Sequence, residues 1–176
     1  MPDRRRVFFA LWPEADLARR FDAAGHRAHA AFGGRRMRRE TLHLTLAFVG
    51  GVAADRLPAL RDIAGAIRLP SFALRFERLE CVRRKRIAWA AGDIPQGLRD
   101  LVDALAAGLE AARFPVEERP FAAHVTLLRH ADCTSPPPAE ELRIEWPVKD
   151  FVLVESELRP GGASYRILQR WPLDQT

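Results

Sequence analysis

His43–Leu44–Thr45–Leu46 and His124–Val125–Thr126–Leu127 place an imidazole two residues ahead of a hydroxyl, twice in one chain. Each copy sits in an apolar, β-branched run that reads as a strand. Successive strand side chains point to opposite faces, so residues two apart share one. The first copy then puts Thr41, His43, Thr45 and Ala47 on one face and Leu42, Leu44, Leu46 and Phe48 on the core-seeking face. The second puts Ala122, His124 and Thr126 together, backed by Val125 and Leu127. Two imidazoles supply what an acid–base reaction near neutral pH needs, one arriving charged and one neutral. The neighbouring hydroxyls can donate hydrogen bonds to an anion held between them.

Other chemistries fit the chain less well. His26, His29 and His130 lack the companion threonine, and the first two fall on a helical stretch. A catalytic zinc usually takes three protein ligands, and neither motif has a carboxylate at metal-binding spacing. No G-x-S-x-G, G-x-x-x-x-G-K-[S/T] or G-x-G-x-x-G occurs, which argues against a nucleophilic serine, a nucleoside triphosphate and a dinucleotide. The expectation is catalysis with no metal and no cofactor.

The elements that must position these residues follow from periodicity. Val7–Leu11 reads as a buried strand, Glu14 to Phe32 as a helix ended by Gly33–Gly34, and Asp55–Ile67 as a second helix. The first motif strand is expected to close at Gly50–Gly51. Phe72–Phe76 alternates as a half-buried strand. Arg83–Arg84–Lys85–Arg86 forms the tip before a return strand at Ile87–Ala90, and Leu98 to Leu109 gives a third helix. Pro136–Pro137–Pro138 marks an irregular connector, followed by strands at Val148–Leu158 and Tyr165–Trp171. Each half thus carries a helix feeding a motif strand. The fold class is α+β: one domain over residues 1–176 with two similar lobes. Each lobe is an antiparallel sheet with helices on its outer face, and the two face each other across a central groove.

At 176 residues and 48% apolar, the chain can bury a proper core. The formal charge of +5 is carried by arginine clusters at Arg4–Arg6, Arg35–Arg39 and Arg83–Arg86. Such clusters attract polyanions, nucleic acid first. The opening basic and apolar stretch is too short for an export signal, and Pro13, Glu14 and Asp16 end it. No run is long enough to span a membrane. Cys81 and Cys133 show no C-x-x-C spacing and no secretory context, which argues against a disulfide or zinc site and for a reducing cytosol. A cytoplasmic monomer is expected.

With those residues laid out, the chain resembles the two-histidine phosphoesterase superfamily, and within it the bacterial RNA 2′,3′-cyclic phosphodiesterases, also called 2′-5′ RNA ligases. Arg6–Leu11 resembles the family's opening strand, Leu42–Gly50 its first signature, and Arg119–Phe121 with His124–Arg129 its second. Phe151–Ser156 and Tyr165–Leu173 match its closing strands. Ala123 stands where the family usually has proline. The resemblance implies His43 as proton donor, His124 as proton acceptor, and Thr45, Thr126 and Arg129 as phosphate holders. Strict alternation puts Arg129 on the opposite face from His124, so it reaches the phosphate only if the strand bulges, twists or ends. The implied substrate is RNA ending in a 2′,3′-cyclic phosphate, tRNA fragments among the candidates, with weak reversible 2′-5′ ligation. Trp12, Trp89 and Phe9 are candidates to stack on the terminal base, although each suits a core better. The readings that compete are a phosphodiesterase for small cyclic nucleotides or 2′-5′ oligonucleotides, and a non-catalytic RNA-binding module resting on the basic clusters.

Overall fold

In the computed structural model, which describes residues 3–174, the chain runs β1 (Arg4–Leu11), α1 (Ala15–Phe32), β2 (Arg35–Arg36), β3 (Leu44–Ala53), α2 (Leu57–Gly65), β4 (Phe72–Val82), β5 (Ile87–Gly92), α3 (Gln96–Ala111), β6 (His124–Arg129), β7 (Ile144–Val148), β8 (Asp150–Arg159) and β9 (Gly162–Pro172). Five consecutive buried residues, Val7 to Leu11, make β1 an interior strand covered on both faces. It sits in an antiparallel sheet of order β3-β1-β8-β9. A second antiparallel sheet has the order β2-β6-β5-β4-β7. The architecture is the two-lobed α+β fold expected.

The lobes do not correspond to the two halves of the chain. Helix α1 follows β1 yet packs against β5, β6 and β7 of the second sheet. Helices α2 and α3 pack on each other, α2 against β9 and α3 against β3, in the first sheet. The apolar stripes of all three helices join the sheets in one core. Phe21 meets Phe76 and Trp146 on one side, and Phe9 meets Phe151 and Trp171 on the other. A smaller cluster of Phe8, Ala10, Val152 and Val154 lies on the other face of the first sheet, with Trp12 and Tyr165 packed on it. That face looks into the cleft.

The structure corrects several sequence expectations. Strand β7 is an addition to them. Ile144, Trp146 and Val148 alternate buried with exposed Glu145 and Pro147, and the proline is tolerated because β7 is an edge strand. Strand β3 runs past Gly50–Gly51 to Ala53, with Gly50 absorbing a positive φ of 91°. The cysteines are bridged: Cys81 and Cys133 form a disulfide, their Cα atoms 5.3 Å apart. Their 52-residue separation hides this, because the sheet closes the gap. Cys81 pairs with Ala88 on β5, Ala88 pairs with Leu128 on β6, and Cys133 lies just beyond β6. The Ala131 amide donates to the Arg86 carbonyl at 2.9 Å and holds that loop on the β4–β5 tip. Among the described residues no helix is long and apolar enough to cross a membrane.

Candidate active site

Both motif histidines are pinned in the same way. Nδ1–H of His43 donates to the carbonyl of Thr41 at 2.7 Å, and Nδ1–H of His124 to the carbonyl of Ala122 at 2.9 Å. A carbonyl only accepts, so each neutral ring carries its proton on Nδ1 and a lone pair on Nε2. The bond runs back two residues in both cases, and it fixes the ring plane as well as the tautomer. Both rings line a single cavity of about 260 Å³ between the lobes.

Each imidazole also rests on an indole. Trp12 stacks parallel to His43, with ring centroids 5.0 Å apart and 3° between the planes. Trp89 lies 4.3 Å from His124 at a 31° tilt, its Nε1–H donating to Glu80 Oε2 at 3.0 Å. His43 is further enclosed by Phe8 at 5.1 Å and Tyr165 at 5.2 Å. This enclosure decides its titration. Burial in the aromatic box disfavours the imidazolium and lowers the pKa to about 4; the bond to Thr41 opposes this, and repulsion from His124 and Arg129 adds to it. His124 is lowered as well, by burial first and then by Lys85, against its bond to Ala122 and the nearby Glu80 carboxylate. The empty site therefore holds two neutral imidazoles at pH 7.

Strand irregularities choose what else faces the cavity. On β6, Trp89 pairs with Thr126 but Ala88 with Leu128, so Leu127 is an extra residue without a partner. Leu127 and Leu128 are both buried, and the bulge returns Arg129 to the face of His124 and Thr126. All three line the cavity with His43 and Thr45. On β3, Leu46 and Val49 are the extra residues opposite β1. The first of these bulges, at Leu46, turns Phe48 out of the core, where strict alternation would put it. It is 40% exposed, lines the cavity and carries the Arg6 guanidinium 5.0 Å above its ring.

The sequence motifs thus meet, and residues that the sequence does not mark for this place join them. Of the three aromatics that could stack on a base, Phe9 is fully buried in the core, whereas Trp12 and Trp89 support the histidines. Tyr165, Arg6 and Lys85 also line the cavity. Among the described residues Arg6, Lys85 and Arg129 make no ion pair, although most arginines near carboxylates do. Unpaired cations around one cavity are a signal that only coordinates can supply. The remaining histidines lie elsewhere: His26 contacts Arg36 and Asp22, and His29 meets the Gly34 carbonyl. Among the described residues no three His, Cys, Asp or Glu side chains gather as a metal ligand set.

Comparison with known proteins finds similarity over nearly the whole chain. The model of the LigT-like phosphoesterase family matches residues 11–89 and 90–165, one motif in each span. The RNA 2′,3′-cyclic phosphodiesterase of Escherichia coli K12 is 33% identical over 99% of this chain and all of its own length. The Thermus thermophilus protein of the same description is 28% identical over 96% of this chain and 90% of its own. The crystal structure of E. coli LigT complexed with 3′-AMP superposes with a TM-score of 0.87 at 32% identity, covering 98% of this chain and 100% of that one.

Proposed function

Because the chain belongs to the LigT-like phosphoesterase family, we propose that it hydrolyses the 2′,3′-cyclic phosphate at the end of an RNA strand to a 2′-phosphate, using two histidines as acid and base. The observation that carries this is the matched pinning of His43 and His124 over one cavity that also holds two hydroxyls and a guanidinium with no ion pair among the described residues. The relatives named as RNA 2′,3′-cyclic phosphodiesterases support the substrate.

A cyclic phosphodiester is opened by in-line attack, with the nucleophile and the leaving oxygen on opposite sides of phosphorus. Nε2 of neutral His124 takes a proton from the attacking water. His43 gives a proton from Nε2 to the departing 3′ oxygen. Each transfer is worth roughly 10²–10⁴-fold in rate. Thr45 and Thr126 donate to the non-bridging oxygens, and Arg129 neutralises charge as it builds there.

His43 is neutral in the empty site, so its proton must arrive with the substrate. The phosphodiester anion replaces the missing counter-charge beside His43 and raises its pKa. Binding and protonation are thus one linked event. By microscopic reversibility the same groups join a cyclic end to a 5′-hydroxyl as a 2′-5′ linkage.

Both histidines come from one chain, and we propose a monomer acting on RNA ends, tRNA fragments among them. A cytoplasmic location rests on that substrate alone, because the bridged cysteines no longer speak for a reducing compartment. The deciding test is incubation with RNA ending in a 2′,3′-cyclic phosphate. A 2′-phosphate product is expected, and an untouched cyclic end would refute the proposal. Comparing turnover on a cyclic mononucleotide separates RNA from small-nucleotide specificity.

A further inference from the structure

The two histidines are supported unequally. Three rings close in on His43, those of Trp12, Phe8 and Tyr165. Among the described residues Trp89 is the one ring against His124. The base therefore depends on how firmly a single indole is held. Trp89 sits beside the bulge at Leu127, where the ladder between β5 and β6 is interrupted. An indole there can pivot about its two side-chain torsions unless something fixes its edge.

Glu80 fixes it. Glu80 pairs with Trp89 across β4 and β5, and Trp89 pairs with Thr126 across β5 and β6. Directly opposed residues share a face, so the three side chains stand in one row facing the cleft. Trp89 and Thr126 line the cavity, and Glu80 stands one strand behind them. Its carboxylate is divided between two donors. Oε2 accepts from Trp89 Nε1–H at 3.0 Å, and Oε1 accepts from the exposed Arg78 Nε at 3.2 Å. The bond to the indole is charge-assisted. It sets negative charge at the edge of the ring whose face meets His124.

The other charges near His124 do not supply this. Lys85, 6.0 Å over the Trp89 ring, and Arg6 and Arg129 are cations lining the cavity. Across the cleft His43 is neutral in the empty site, and Arg119 and Glu117 on the far wall bind each other at 2.7 Å. Glu80 is the carboxylate that raises the pKa of His124, against burial and Lys85.

We propose that Glu80 is a positioning residue for the base, holding the His124 ring through the Trp89 indole and stabilising the positive charge that ring gains on taking a proton from water. This deepens the proposed function and rests on its assignment of His124 as base. The carboxylate acts through the π face because the Nδ1–H of His124 is already given to the Ala122 carbonyl. A cation over an indole is attracted by the ring quadrupole, and a carboxylate on the N–H edge enriches that face.

The test compares Glu80→Gln, which keeps an acceptor for the indole but removes the charge, with Glu80→Leu, which removes both. On RNA ending in a 2′,3′-cyclic phosphate, kcat should fall by about threefold in the first and about tenfold in the second, the scale of one partly desolvated cation–π contact. KM should stay within about twofold, since the interaction strengthens only as the proton moves. The nitrogen-15 resonances of His124, assigned by their loss in His124→Ala, should titrate at lower pH in both variants, because the charge favouring the imidazolium is gone. In a Trp89→Phe background, which has no N–H to bond, Glu80→Leu should cost little further rate. An unchanged kcat in the leucine variant would overturn the proposal. So would a loss of rate with His124 titrating as before, the mark of a purely structural support, or an undiminished loss in the Trp89→Phe background. The histidine titration needs no substrate. Absence of hydrolysis in the unaltered protein would therefore sink the proposed function, a result distinct from an unmoved His124 titration.

Discussion

Trp12 lies flat against His43, its ring centroid 5.0 Å away and the planes 3° apart. With Phe8 and Tyr165 it makes the imidazole's surroundings so apolar that the ring is neutral at pH 7, with a pKa of about 4. An imidazole held neutral in the empty site, and proposed to take up its proton with the anion, has measurable consequences.

Substrate binding should take up protons. The bound phosphate raises the pKa of His43, so between its free and bound values the complex holds more protons than the free protein. Affinity should then weaken as pH rises through that window. Calorimetry with a non-hydrolysable phosphodiester in buffers of different ionisation enthalpy checks this, and zero uptake at pH 6 would contradict it. The alkaline limb of kcat should also lie at higher pH than that of kcat/KM, since the two report bound and free protein.

Stability should fall on acidification. The folded pKa of His43 is depressed from 6.5 to about 4, so the unfolded chain binds more protons between those values. The contribution is fully present above pH 6.5 and is lost as pH falls towards 4. At about 1.4 kcal/mol per pH unit the loss approaches about 3 kcal/mol. Denaturant titrations at pH 7 and pH 4.5 should show it, and His43→Leu should flatten the difference. An equal slope in both proteins would count against the aromatic box as its origin.

His43→Ala and His124→Ala should each cost roughly 10²–10⁴-fold in kcat with the far-ultraviolet spectrum unchanged. The double variant should cost much less than the product of the two, because acid and base act on one displacement. Activity should persist in EDTA. A single variant that keeps full rate would remove that residue from the chemistry.

Arg129→Gln should lower kcat by about 10²-fold, the typical cost of losing one charge-stabilising donor. It should also weaken inhibition by inorganic phosphate. Arg129→Lys keeps the charge but not the fork, and should recover only part of the rate. Full activity in the glutamine variant would mean that the guanidinium lies idle despite facing the cavity.

Removing the Cys81–Cys133 bridge by Cys133→Ser should lower stability by about 2–4 kcal/mol, the usual worth of a native disulfide closing a loop of this length. Thermal melts with and without reductant report it. A melting temperature indifferent to reductant would show that the bridge constrains nothing.

The chemistry is more legible in the sequence than the geometry around it. Both histidines, both threonines and the three helices can be read there, because local periodicity alone determines which face they occupy. Strict alternation puts Arg129 and Phe48 on the wrong faces. Each sits beyond a bulge, and a bulge is a relation between two strands that neither strand carries in its own pattern. The cysteine bridge escapes the sequence for the same reason: Cys81 and Cys133 become neighbours only through the pairing of β4, β5 and β6. Trp12 and Trp89 look like ordinary core residues in a one-dimensional reading, and only their ring contacts set them apart.

The crossed placement of α1 and α3 has a consequence for how the molecule assembles. Neither half can complete a lobe from its own residues, so many contacts span long stretches of chain and folding should be slow for this size. The bond that pins each histidine reaches back only two residues and can form early. Their arrival opposite one another requires both sheets docked through helices supplied by the other half. Recovery of turnover during refolding should therefore lag every spectroscopic sign of secondary structure, which makes the enzyme's own reaction the reporter of its final folding step.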